Sequence, residues 1–245
     1  MTLLTLNKNE IGTDYIVGDI HSSFVKLQKA LKDINFDPAK DRLICVGDLI
    51  DRGPNPEMAL EWLDYSWFFS VKGNHEVMAE DYYHKRNNYE LYLHYGERNG
   101  NNWFMHSTRD IQKLYIDKFE QLPLAIQIEN IGIVHAEVIA ASWYGFINNL
   151  DSEIVIHDAI WGRNIIRHYE RNGYKPWALT PILDIDLVVH GHSILAKPVK
   201  LGNRLYIDTG AYLKDGNFTI MSLKQCIEFT SPIPPKLNNV PYEEF

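Results

Sequence analysis

Six side chains in this sequence could together hold metal ions: Asp19, His21, Asp48, Asn74, His135 and His192. They offer carboxylate, amide and imidazole donors and no thiolate, a mixture suited to Mn, Fe or Zn rather than to the all-oxygen cages of Mg or Ca. Six ligands exceed what one catalytic metal takes from protein while keeping a position open. They suit two metals that share a bridging carboxylate. Such a pair lowers the pKa of a shared water, orients it for in-line attack and neutralises phosphoryl oxygens. An anionic substrate also calls for cations. Arg52 and Arg163, whose guanidinium forks match phosphate oxygens in pairs, are the candidates. The leaving oxygen needs a proton, and His75 stands beside Asn74. A carboxylate partner such as Asp51 would keep its ring charged.

The elements that must position these groups repeat one pattern. Tyr15–Val17 leads into Gly18-Asp19-Ile20-His21, Leu43–Val46 into Gly47-Asp48 and on to Asp51-Arg52, and Phe68–Val71 into Gly73-Asn74-His75-Glu76. Each is an apolar run, read as a buried strand, that ends at a glycine where the chain can turn sharply. Ser22 and Ser23 are good N-caps for a helix with Phe24, Leu27, Leu31 and Ile34 on one face, closed by Asp37-Pro38. Pro54 and Pro56 open a second helix carrying Met58, Leu60 and Leu63. The first third therefore predicts β-α-β-α-β with parallel strands. One crossover separates Asp19 from Asp48, and another separates Asp48 from Asn74, so Asp48, on the middle strand, is the natural bridge.

The stretch from Val77 to Leu122 predicts mostly helix, broken at Asn99–Asn102, and suggests no chemistry of its own. Leu124–Glu129 and Ile131–Val134 predict two strands, the second delivering His135. Ser152–Ile160 predicts a helix leading to Trp161-Gly162-Arg163. Leu187–Val189 predicts a strand ending in His190-Gly191-His192, and Arg204–Asp208 and Phe218–Leu223 predict strands either side of Thr209-Gly210-Ala211. His190 and His192 alternate, so both could face one side of a strand. Arg163 competes with Arg109 and Arg167. His84, His94, His106, His157 and His168 read as surface or helix residues. Asp208 could cap a strand end or support the site.

Composition narrows the partners. With 24 basic and 32 acidic residues the formal charge is −8, which disfavours a broad nucleic-acid groove. No apolar run approaches the ~18 residues of a membrane span. The N-terminus lacks the basic and apolar regions of a signal peptide. Cys45 and Cys226 are expected to be free thiols, and the cytoplasm is the expected compartment. One domain over 1–245 is expected, with its catalytic core over about 15–223 and an irregular, proline-rich arm over about 231–245.

Together Gly-Asp-Ile-His, Gly-Asp-Leu-Ile-Asp-Arg-Gly and Gly-Asn-His-Glu resemble the motifs of calcineurin-like metallophosphoesterases, specifically the PPP-type phosphoprotein phosphatases. Val134-His135-Ala136, Trp161-Gly162-Arg163, Gly191-His192-Ser193 and Tyr206–Ala211 extend the likeness to roughly Tyr15–Leu223. It is nearest to the small bacterial and phage-lambda-type serine/threonine phosphatases. The resemblance implies an α/β metallophosphoesterase fold, a central β-sandwich of two mixed sheets flanked by helices, where periodicity alone gives only α/β. It implies one metal on Asp19, His21 and Asp48 and a second on Asp48, Asn74, His135 and His192. Manganese is the first choice, with iron, zinc or nickel as alternatives. It implies phosphate contacts from Arg52 and Arg163, and His75 with Asp51 as the acid pair. Many relatives carry glycine where this chain has Ser22, which alters the backbone expected beside His21.

Three functions follow. The first is a phosphatase for phosphoserine and phosphothreonine proteins or peptides, with phosphotyrosine as a further substrate. The second is a dinucleoside polyphosphate hydrolase, which the resemblance disfavours because that group replaces the residue matching Asp51. The third is a non-enzymatic module on the same fold, which would be expected to lose metal ligands, whereas all six are present here.

Overall fold

The structure is a computed structural model and describes residues 3–85, 96, 99–172 and 180–230. The proline-rich arm and His94 lie outside these residues. The strands are β1 (Leu3–Leu6), β2 (Asp14–Val17), β3 (Arg42–Cys45), β4 (Phe68–Ser70), β5 (Ala125–Ile128), β6 (Ile131–Val134), β7 (Leu187–His190), β8 (Val199–Leu201), β9 (Arg204–Tyr206) and β10 (Ile220–Ser222). The helices are α1 (Phe24–Asp33), α2 (Met58–Trp62), α3 (Asn74–His84), α4 (Asn102–Met105), α5 (Arg109–Phe119), α6 (Trp143–Ile147), α7 (Glu153–Trp161), α8 (Asn164–Asn172) and α9 (Leu223–Glu228).

The strands form two mixed sheets. One runs β10-β2-β3-β4, the other β1-β5-β6-β7-β9-β8. In the first, β2, β3 and β4 are parallel, as the β-α-β-α-β reading predicts, and β10 closes the edge antiparallel to β2. In the second, β6, β7 and β9 are parallel to one another.

Side-chain alternation builds the layers. Ile16 of β2 and Ile44 of β3 point between the sheets, where they meet Ile126, Ile133, Val189 and Leu205 of the other sheet. Val17, Leu43 and Cys45 point the opposite way, onto Phe24, Leu27 and Trp62 of α1 and α2 and Phe119 of α5. Strands buried on both faces need continuous apolar runs, which is why Leu43–Val46 has no polar member. Burying each large aliphatic side chain stabilises the sandwich by roughly 1.5–3 kcal/mol. Cys45 and Cys226 are free and buried.

The parallel strands bring their carboxyl ends to one rim. β2, β3 and β4 deliver the Asp19, Asp48 and Asn74 loops, and β6, β7 and β9 deliver His135, His192 and Asp208. Ligand sites in open α/β sheets lie at such strand ends.

Several elements differ from the sequence reading. Ser23 takes the N-cap position of α1, but its hydroxyl donates to the carbonyl of His21 rather than capping the helix. The Ser22 hydroxyl is buried without a hydrogen-bond partner. The cause is the preceding turn, in which His21 and Ser22 both have positive φ, 44° and 55°. Positive φ at Ser22 accounts for a position where glycine would be at ease. β1 has no local signal, because the strand it pairs with, β5, is distant in sequence. The short α6, the α8 helix after Arg163, and β8 also had no clear local signal.

Candidate active site

Four electron-pair donors converge in one cluster. Asn74 Oδ1 lies 2.9 Å from His192 Nδ1 and 3.0 Å from His135 Nε2. The two imidazole nitrogens are 3.1 Å apart, and Asp48 Oδ1 is 3.4 Å from His135 Nε2. Atoms about 2.1 Å from one ion stand about 3.0 Å apart in octahedral coordination and about 3.4 Å apart in tetrahedral coordination, so the spacing is that of a ligand shell. The tautomer agrees. His135 Nδ1 lies 2.8 Å from the Val46 carbonyl, which can only accept, so the ring proton sits there and Nε2 keeps its lone pair. Burial pushes His135 and His192 below the usual imidazole range, which keeps both rings neutral. Lone pairs on His135 Nε2 and Asn74 Oδ1 thus face one another, an arrangement that a shared cation relieves.

A second cluster shares the same carboxylate. His21 Nδ1 is 3.1 Å from the Ile50 carbonyl, which leaves Nε2 to face Asp48 Oδ2 at 3.6 Å. Burial holds His21 well below its usual range too. His75 Nε2 is 4.0 Å from the same oxygen. Among the described residues, His21, Asp48 and His75 form one group able to hold a metal, and Asp48, His135 and His192 form another. Asp19, expected as a ligand beside His21 and Asp48, lies outside both of these groups and is buried next to them, its two oxygens accepting the His192 backbone N–H at 3.1 and 3.0 Å. Burial, then the charges of Asp208 and Asp48, push Asp19 well above the carboxylate range. Asp208 is pushed up to about 6, mainly by burial. Three buried carboxylates crowded together fit a site built for divalent cations.

His75 also pairs with Asp51 through its other ring nitrogen. His75 Nδ1 lies 2.6 Å from Asp51 Oδ2, and its Nε2 is buried without a hydrogen-bond partner. Asp51 also accepts from Asn101 Nδ2 at 3.1 Å and Trp103 Nε1 at 2.8 Å. The two arginines flank the site. Arg52 Nη1 donates to the Tyr212 hydroxyl at 2.7 Å, and Arg163 Nη2 donates to the His192 carbonyl at 3.1 Å, with its Nε buried and unpaired.

The loops that carry these groups are strained. His21, Asp48, Asp51, Arg52 and His192 all have φ between 44° and 71°, a conformation non-glycine residues adopt at a cost and keep at functional sites. Close approach demands glycine at their neighbours. A Cβ on Gly73 would stand 2.2 Å from Asp48 Oδ1, and one on Gly191 would stand 2.0 Å from Asp19 Oδ1. His192 reaches the site because β7 ends at His190 and the chain then reverses its twist. His190 is instead fully buried against Tyr206, with Nδ1 on the Val134 carbonyl, and burial lowers it to about 3. Arg109 lies elsewhere, stacked over Tyr83. Of the remaining histidines, His84, His106 and His157 are exposed and His168 is half-buried on α8.

Residues not singled out from the sequence hold this geometry. Glu76 accepts from the backbone N–H groups of Asp48, Leu49 and Gly73 at 3.0, 2.8 and 2.8 Å, tying two ligand loops together. Burial and the charge of Asp48 push it up to about 8 despite those bonds. Glu76 stands at the third position of α3, where capping-box acids sit, and that was the available signal. Glu137 accepts from the N–H groups of Asn164, Ile165 and Ile166, which anchors α8 directly after Arg163. Asn101 and Trp103 carried no local signal, since they act across some fifty residues on Asp51.

A sequence profile of the calcineurin-like phosphoesterases matches residues 15–195, and the chain belongs to that family. It is 34% identical over 200 residues to serine/threonine-protein phosphatase 2 of Escherichia coli (strain K12), covering 80% of this chain and 87% of that protein. A shorter stretch of 64 residues is 45% identical to a symmetrical bis(5'-nucleosyl)-tetraphosphatase of Coxiella burnetii, covering 26% of this chain and 22% of that one. Among solved structures, a yeast (Saccharomyces cerevisiae) protein serine/threonine phosphatase with similarity to human phosphatase PP5 superposes with a TM-score of 0.61 at 17% identity, over 91% of this chain and 82% of that chain.

Proposed function

We propose that this chain is a dinuclear-metal phosphomonoesterase that removes phosphate from phosphoserine and phosphothreonine in proteins, and from phosphotyrosine as a further substrate. Asp19, His21 and Asp48 would hold one divalent ion, and Asp48, Asn74, His135 and His192 the other, with manganese the first choice. Bound there, the ions would supply an activated water and neutralise phosphoryl charge. Arg52 and Arg163 hold and orient the phosphoryl oxygens. His75 delivers a proton from Nε2 to the departing oxygen, while Asp51 fixes the ring through Nδ1. Asn101 and Trp103 in turn hold Asp51, so the acid is aimed before substrate arrives.

The 2.6 Å contact between His75 and Asp51 carries this reading. A serine or threonine ester expels an alkoxide, a strong base that needs a proton in the transition state. A dinucleoside polyphosphate expels a phosphate, a far weaker base, so a buried acid pair is matched to the ester. The tetraphosphatase reading keeps support from the 64-residue likeness around the motifs. The resemblance to PPP-type phosphatases and the 34% identity over most of the chain favour the phosphoprotein reading. No helix among the described residues is long and apolar enough to cross a membrane, and a cytoplasmic location remains the proposal.

The deciding experiment strips the protein with chelator, restores Mn²⁺, and compares turnover of phosphopeptides with that of a dinucleoside tetraphosphate. Phosphopeptide hydrolysis that vanishes without metal and returns with it is expected. Preferential turnover of the tetraphosphate would replace this reading with the second one.

A further inference from the structure

We infer that Tyr212 is the positioning residue for Arg52: its hydroxyl and ring fix the guanidinium in the orientation that meets the substrate phosphoryl group. The inference rests on the reading of Arg52 as a phosphate-binding residue and adds a residue that sets how well it binds.

Three contacts among the described residues place Tyr212. Its hydroxyl accepts from Arg52 Nη1 at 2.7 Å, and the guanidinium carbon of Arg52 lies 5.0 Å from the ring centroid. The ring meets His21 edge-on at 4.9 Å and 76°. The phenol thus engages Arg52 by a hydrogen bond and by its π face while resting on a ring at the base of the site. A neutral phenol orients a guanidinium without itself adding an opposing charge.

Both partners are presented rigidly. The Arg52 backbone sits at φ 64°, and Gly100, itself at φ +74°, packs so closely that a Cβ there would be 2.8 Å from the Arg52 nitrogen. The loop that carries Tyr212 is tied at several points. Asp208 Oδ1 accepts from the Gly210 N–H at 2.9 Å, and the Thr209 hydroxyl donates to the Asn217 carbonyl at 2.6 Å. Lys26 Nζ, from α1, donates to the Ala211 carbonyl at 2.9 Å and to the Gly216 carbonyl. A long arginine otherwise samples many rotamers, and holding it in one removes an entropy cost from each binding event.

The test is a double-mutant cycle read as competitive inhibition by inorganic phosphate of the Mn²⁺-loaded protein. Tyr212→Phe keeps the ring and removes only the hydroxyl. It is expected to raise the phosphate inhibition constant and KM about 3- to 10-fold with kcat within about twofold and thermal midpoint unchanged. In an Arg52→Ala background the same substitution is expected to do nothing further, because nothing is left to position. Tyr212→Leu, which also lacks the ring, is expected to exceed Tyr212→Phe in the native background and to be silent with Arg52→Ala. Equal losses from Tyr212→Phe in both backgrounds would overturn the inference, since a hydroxyl that bound phosphate directly would matter with or without Arg52. An Arg52→Ala variant with undiminished phosphate affinity would remove the role of Arg52 itself, and the inference with it.

Discussion

Replacing His75 with Asn removes the proposed acid and leaves a smaller, neutral polar side chain in its place. His75 is 1% exposed, so bulk water does not readily take over its proton. The loss therefore belongs in the upper half of the range for general acid catalysis, about 10³–10⁴-fold on a phosphoserine peptide, or about 4–5.5 kcal/mol of transition-state stabilisation. The same variant should lose less than about tenfold on p-nitrophenyl phosphate, whose leaving group departs without a proton. His75 also lies within 4.0 Å of Asp48, so metal content must be measured on the same preparation. Two metals per chain with unequal losses on the two substrates is the expected result. Equal losses on both substrates at full metal occupancy would refute proton donation and leave His75 a role in charge or positioning.

Asp48→Asn should lower metal stoichiometry and turnover together, since both candidate clusters share that carboxylate; metal analysis that still finds two ions and a near-native rate would place the bridge elsewhere. Trp103→Phe removes the indole donor to Asp51 but keeps the aromatic packing on Phe104 and Tyr115. A hydrogen bond to a charged group is worth about 1.5–3 kcal/mol, so phosphopeptide turnover should fall about 10- to 150-fold at most, with p-nitrophenyl phosphate little changed. Glu76 is raised from 4.5 to about 8 in the fold. Its contribution to the stability of the metal-free protein is therefore full below pH 4.5 and is lost as pH rises through about 8. Denaturation of wild type and Glu76→Gln across that window should show the wild-type advantage shrinking as pH rises, and an advantage that grows would reverse the assignment.

The parts of this protein legible in its sequence are those whose causes are local. An apolar run ending in glycine and a carboxylate is a strand, a turn and a candidate ligand within a few residues, and Asp19, Asp48 and Asn74 each follow that form. The crossover lengths between them place the three strand ends side by side with Asp48 central, because parallel neighbours need a connection of about that length. The two-sheet sandwich was not in the periodicity and came from family likeness alone, since a continuous apolar run says that a strand has two buried faces and not what covers them.

Tertiary structure decided the rest. His190 and His192 are equivalent by alternation, and the end of β7 with φ 64° at His192 separates them. Asn101, Trp103, Glu76 and Glu137 hold site residues or the backbone that presents them, each across 27 residues or more. Tyr212 reaches Arg52 across 160 residues. No periodicity encodes such pairings, because each depends on two loops being brought together only after both sheets have packed. The identities of the chemical groups are set by short local patterns, whereas their orientation is set by hydrogen bonds that exist only in the folded chain.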